Sequence, residues 1–69
     1  MTNHYYVNKQ AQPNGDHEVH KYECTYGADF ANQHDLGWFS SDHDALEEAT
    51  KIYPQSDGCM YCCPSIHHH

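Results

Sequence analysis

The chain contains no arginine. Its only fixed cations are Lys9, Lys21 and Lys51, set against ten Asp and Glu, so the net charge is −7 with histidine neutral. Nucleic-acid binding draws most of its affinity from Lys and Arg that neutralise phosphates, and Arg is the bidentate reader of phosphate and guanine. The deficit argues against DNA, RNA and anionic membrane surfaces as partners. Long apolar runs are missing too, and no stretch approaches the roughly 18 residues of a membrane span. The opening Met1-Thr2-Asn3-His4-Tyr5-Tyr6 lacks the basic flank and apolar run of a signal peptide. A reducing, cytoplasmic setting is the expectation.

Aliphatic residues are scarce. Val7, Val19, Phe30, Leu36, Phe39, Leu46, Ile52 and Ile66 are all the Leu, Ile, Val and Phe in 69 residues. That lies below the roughly 20% which, with high net charge, signals disorder. The length allows one domain, and a domain this small buries only about 60% of the surface of its unfolded chain. Six Tyr and Trp38 add aromatic area, each with a polar atom that needs a partner. Chains so placed fold with help from disulfides, a metal or a second subunit. Four Cys and eight His supply the means for the first two. The domain is expected over 1–66, with the run His67-His68-His69 read as a purification-tag remnant and kept out of the core argument.

Residues 4–9 read as a strand with Tyr5 and Val7 on one side. Gln12-Pro13-Asn14-Gly15-Asp16 follows, and Asn-Gly between β-prone runs is a strong hairpin signal. Residues 17–22 read as the returning strand, and 25–37 as mostly loop. Leu36-Gly37-Trp38-Phe39 reads as a short third strand leading into the clearest element, a helix over 41–53. Ser41 is its N-cap, Asp42 and Asp44 place negative charge in the first turn, and Glu47 can pair with Lys51. Ala45, Leu46, Ala49, Ile52 and Tyr53 recur at helical spacing, and Pro54 stops the helix. Gln55-Ser56-Asp57-Gly58 is then a turn that delivers the cysteines. The predicted class is α+β, with Leu46, Ala49, Ile52 and Tyr53 packed on Tyr5, Val7, Val19, Trp38 and Phe39.

Cys59-Met60-Tyr61-Cys62 is a C-x2-C, and two thiolates at this spacing on a tight turn reach one tetrahedral zinc. The second half of a site is offered by His20 and Cys24, an H-x3-C at the end of the second strand. His20, Cys24, Cys59 and Cys62 together form a recognised closed donor set. One geometric condition attaches. In a continuing strand His20 and Cys24 would lie about 13 Å apart, at roughly 3.3 Å per residue. The strand must therefore end near Lys21 and the chain curl back through Tyr22-Glu23. Otherwise His17, Cys63 or His67 would take the place of His20.

Other readings of the same residues stay open. Four Cys allow three disulfide pairings, and a bridge from Cys24 to one of the C-terminal three is the least strained. Cys24 alone reads as a small buried apolar residue, and His4, His34 and His43 as solvated surface groups. Redox catalysis is disfavoured, since a thioredoxin-type C-x2-C opens a helix that lowers the thiol pKa, and none follows here. Hydrolytic zinc chemistry needs an open coordination position, which thiolate-rich sites usually lack, although Asp16, His17 and Glu18 could supply an acid–base group.

Tyr5-Tyr6-Val7-Asn8, Asn14-Gly15-Asp16-His17-Glu18-Val19-His20, Cys24, and Asp57-Gly58-Cys59 with Cys62-Cys63-Pro64 together resemble a family of small bacterial proteins without an assigned function. That resemblance covers nearly the whole chain and implies a shared fold. A weaker, partial resemblance joins His20, Cys24, Cys59 and Cys62 to the zinc-binding domain of the DNA repair regulator Ada. Its basic DNA-contacting residues have no counterpart here, so it implies a metal site only. Three functional classes follow, in this order: a zinc-stabilised interaction module with a protein partner; a thiol-redox or metal-handling protein; an enzyme of small-molecule chemistry. Oligomeric state is left open.

Overall fold

A computed structural model describes residues 1–68; His69 of the terminal run lies outside the described residues. Strand β1 spans Asn3–Asn8 and β2 spans His17–Lys21. A 3-10 turn at Phe30–Asn32 leads into β3, Gln33–Phe39, which is followed by helix α1, Asp42–Ile52. Strand β4, Ser56–Gly58, and a second 3-10 turn at Pro64–Ile66 complete the chain. The fold is α+β, with one helix on a four-stranded mixed sheet of order β3-β1-β2-β4. β1 runs antiparallel to both of its neighbours, and β2 pairs in parallel with β4. Among the described residues no helix is long and apolar enough to cross a membrane.

The hairpin forms as expected, with its tight turn centred on Pro13-Asn14. Gly15 donates its N–H to the Gln12 carbonyl at 2.8 Å and takes the left-handed conformation at φ +92°. Asn14 Oδ1 accepts from the Asp16 amide at 2.9 Å, the local side-chain bond that makes Asn a turn residue. Ser41 caps the helix by accepting from the Asp44 amide at 3.2 Å, and Asp42 and Asp44 occupy the first turn. The expected range 41–53 thus comprises α1 with its two caps, Ser41 and Tyr53. Lys51 pairs with Glu48 at 3.3 Å rather than with Glu47, three residues back instead of four.

The segment expected as loop contains most of β3, which begins at Gln33 and pairs with β1 along its length. Asp57 and Gly58, expected in a turn, pair with Glu18 and Val19 as part of β4. The core beneath α1 holds Tyr5, Val7, Val19, Ala45, Ala49, Cys63 and Ile66, with Leu36, Phe39, Leu46, Tyr53 and Cys62 at its margin. Trp38 and Ile52 do not join it, being 65% and 39% exposed. The reason for Trp38 is a β-bulge. Tyr5 pairs with Gly37 while Tyr6 pairs with Asp35, so Leu36 is an extra residue and the alternation beyond it is inverted. Phe39 then packs towards Tyr5 at 6.2 Å between ring centres, and Trp38 stacks on His4 across the opposite face. Gly37 permits the bulge with φ +96°. Ile52 is the last helical residue, and at that end of the helix Tyr53 makes the contact, stacked on His17 at 3.9 Å.

β1 is buried on both faces. Tyr5 and Val7 meet the helix, whereas Tyr6 points the other way, 5.3 Å from the His20 ring. Its hydroxyl accepts the Ala28 N–H at 2.9 Å, which pins the connection between β2 and β3 across the sheet. That second face carries His20 with Cys24, Cys59 and Cys62.

Candidate metal centre

β2 ends at Lys21, and the chain turns at once through Tyr22-Glu23, closed by Cys24 N–H donating to the Lys21 carbonyl at 3.0 Å. This is the curl that the spacing of His20 and Cys24 demanded. From the other end of the chain, Cys59 N–H donates to the Val19 carbonyl at 2.9 Å, so parallel pairing of β4 on β2 carries straight into the C-x2-C turn. Cys63 N–H closes that turn on the Cys59 carbonyl at 2.9 Å. Two segments 35 residues apart are brought together by sheet pairing rather than by loops.

One donor atom from each of His20, Cys24, Cys59 and Cys62 lies within 4.8 Å of all the others. Among the described residues this is the one such convergence of His, Cys, Asp or Glu. Cys24 and Cys59 place their sulfurs 3.8 Å apart, and Cys62 Sγ lies 3.9 Å from His20 Nδ1. Ligand atoms around a tetrahedral zinc stand about 3.5–3.8 Å apart, from bonds of about 2.0–2.3 Å. The donor set and its spacing fit a soft or borderline metal ion.

The surroundings are built to match. His20 is buried and directs Nε2 to Glu18 Oε1 at 3.1 Å, leaving Nδ1 for the cysteines. Glu18 in turn accepts from Gln12 Nε2 at 2.6 Å. Each sulfur receives backbone N–H groups: Cys59 from Tyr61 and Cys62, Cys24 from Tyr26, and Cys62 from Lys21 at 3.3 Å. Such donors stabilise a thiolate. Burial nevertheless raises the Cys24 thiol and pushes that of Cys59 up to about 12. Cys62 is raised first by its hydrogen bond with Cys63 and then by burial. Burial also lowers His20 to about 4, so the ring is neutral, and it raises Glu18. Three protonated thiols and a neutral imidazole form a centre that gives up protons when a cation enters.

The other sequence candidates fall outside the cluster. Cys63 sits 3.7 Å from Cys62 Sγ but is buried in the core below α1. His17 lies on the helix face against Tyr53, its Nδ1 2.8 Å from the Asn8 carbonyl. His67 is part-buried, with Nδ1 2.9 Å from the Gly58 carbonyl and 3.3 Å from Asp57. Asp16 is buried and accepts from Gln55 and Asn14. His4 is stacked between Tyr22 and Trp38 rather than freely solvated.

Sequence reasoning missed the role of Glu18 as the orienting partner of His20. The signal was present, because residues two apart on a strand share a face. Also missed was the cover over the cysteines, where Tyr26 and Tyr61 stack at 4.1 Å. Open hollows of about 240 Å³ beside Cys24 and Cys62, and about 310 Å³ beside Cys59 and Glu18, flank that stack. No protein-family model matches this chain, and neither does any curated protein or solved structure.

Proposed function

We propose that this chain is a non-enzymatic interaction module whose fold is held by one zinc ion on His20, Cys24, Cys59 and Cys62. The observation that carries the reading is the convergence of those four donor atoms, drawn from both ends of the chain, within 4.8 Å. Zinc is preferred because the set is three sulfurs and one imidazole, a closed structural combination. It ties the end of β2 to the turn after β4 and stands in for aliphatic core that the chain lacks. A reducing compartment such as the cytoplasm keeps such thiols available. The resemblances to small bacterial proteins and to the Ada zinc domain accord with this reading. The partner is a protein rather than nucleic acid or membrane, given the charge of −7 and the absence of arginine.

Four protein donors, two buried and two half-buried, leave no open coordination position for hydrolysis. Redox catalysis is disfavoured by the raised thiols, since a reactive cysteine needs a depressed pKa. A disulfide staple is the second reading, favoured by the 3.8 Å between Cys24 and Cys59 sulfurs. Native mass spectrometry with thiol counting, on protein freed of its terminal His run, separates them. The expected result is one zinc per chain and unfolding on chelation. A chain that stays folded without metal, with its thiols paired or all reduced, would sink the proposal.

A further inference from the structure

The face of the sheet that carries the cysteines also carries a column of stacked rings. The Trp38 indole lies on the His4 imidazole at 4.8 Å and 13°, and His4 lies on Tyr22 at 4.6 Å and 7°. Asp35 holds His4 Nε2, and its side chain remains 64% exposed. Tyr22 belongs to the turn that sets Cys24, so the column is braced by the proposed metal loop at one end. At the other end Trp38 is 65% exposed. The bulge at Leu36-Gly37 is what turns Trp38 and Asp35 to the same side.

β3 is the outer strand of the sheet and pairs only with β1 among the described residues. Soluble proteins blunt such edges with lysine, proline or very short strands, because unpaired N–H and C=O groups invite a further strand. β3 is seven residues long, with neither lysine nor proline, and Asp35 is its one fixed charge. Asp29 precedes it, and Asp42 and Asp44 follow it.

We propose that the β3 edge, with Trp38 and Asp35, takes up an extended lysine- or arginine-bearing segment of a partner protein as an added strand. The proposal rests on the interaction-module reading and gives the partner its chemistry. Alternate residues of an added strand face one side, so basic residues two apart can meet Asp35 and the Trp38 face together. A second copy of the chain is the poorer occupant, because it brings another charge of −7 to the same edge.

Trp38 is the only tryptophan, so its emission reports on this site directly. The zinc-loaded protein would be titrated with a capped eight-residue peptide alternating lysine and threonine, and with its glutamine-for-lysine counterpart. Saturable quenching by the lysine peptide is expected, weakened by salt and about tenfold weaker for the glutamine peptide. Amides of residues 33–39 should gain hydrogen-exchange protection. Asp35→Asn should weaken binding about fivefold, and Glu47→Gln on α1, which removes the same charge elsewhere, should not. Absence of saturation, equal binding of the two peptides, equal effects of the two substitutions, or self-association with β3 at the dimer contact would overturn the proposal. Metal content measured on the same samples tells such a failure apart from loss of the zinc-held fold.

Discussion

Glu18 aims His20: the carboxylate lies 3.1 Å from Nε2, and this leaves Nδ1 3.9 Å from the Cys62 sulfur. A carboxylate on the distal nitrogen of a liganding imidazole fixes its tautomer and raises its basicity. Replacing Glu18 with Ala should lower zinc affinity about 10- to 100-fold in a chelator competition, with the stoichiometry unchanged. Glu18→Gln keeps an acceptor and should lose less. Equal affinity for wild type and Glu18→Ala would show that the contact does no orienting.

The pH dependence follows from opposite shifts. Burial lowers His20 from 6.5 to about 4, so the metal-free fold binds fewer protons there than the unfolded chain and loses stability as pH falls from 6.5 towards 4. Cys59 is raised from 9.0 to about 12, so the metal-free fold keeps a proton that the unfolded chain gives up, and stability falls as pH climbs above 9.0. Structure remaining in chelator should therefore be greatest between 6.5 and 9.0. Bound zinc removes the second slope, because its thiolates carry no proton and the unfolded thiols do until about pH 9, so stability rises with pH up to about 9 and levels off above it. Circular dichroism melts with and without chelator would test this. An alkaline loss common to both would contradict it.

The elements legible in the sequence were those whose signals are local. The Pro13-Asn14-Gly15 turn, the Ser41 cap and the spacing of Ala45 and Ala49 each specify conformation within a few residues. The convergence of His20, Cys24, Cys59 and Cys62 was also legible, since metal ligation sets a narrow spacing rule. β4 was not, because Ser56-Asp57-Gly58 has poor strand propensity and becomes a strand only by pairing with Glu18 and Val19, far away in sequence. Nor was the outward face of Trp38, because one bulged residue reverses every side chain beyond it. Ile66 was overlooked as core because a 3-10 turn after a proline has no periodicity to read.

Gly58 is one place where this non-local packing leaves no room for a side chain. A Cβ there would lie 2.3 Å from Ile66 Cγ1 and 2.8 Å from the Cys63 carbonyl oxygen. The Ile66 side chain is fully buried and the carbonyl is backbone, so neither yields cheaply. Gly58→Ala should destabilise the zinc-loaded domain by about 2–4 kcal/mol in denaturant melts. Gly37→Ala meets nothing within 4 Å and is opposed only by its φ of +96°, so its cost should be smaller, about 1 kcal/mol.

Tyr5 joins β1 to the start of the helix by donating its hydroxyl to Asp42 at 2.5 Å, and Ser65 donates to the same carboxylate at 3.0 Å. Burial, and then Asp42, push the phenol upward, so it stays protonated and able to donate. Tyr5→Phe should cost about 1–2 kcal/mol while leaving zinc stoichiometry and affinity intact. A fall in zinc affinity would mean that the helix face and the cysteine face are coupled through β1.

Cys62 and Cys63 are adjacent in sequence with sulfurs 3.7 Å apart, yet they belong to different parts of the fold. Cys62 shares the cluster with His20, whereas Cys63 belongs to the buried core that also holds Val7, Ala45 and Ile66. Cys62→Ser should therefore abolish tight zinc binding and leave the domain unfolded at neutral pH, since binding energy at such a site is folding energy. Cys63→Ala should retain one zinc per chain and lose only about 1 kcal/mol, the cost of removing a small buried apolar group. Metal counting on the two variants decides between this division and a site shared by both thiols. Loss of zinc from Cys63→Ala while the protein remains folded would move Cys63 into the donor set and displace one of the four.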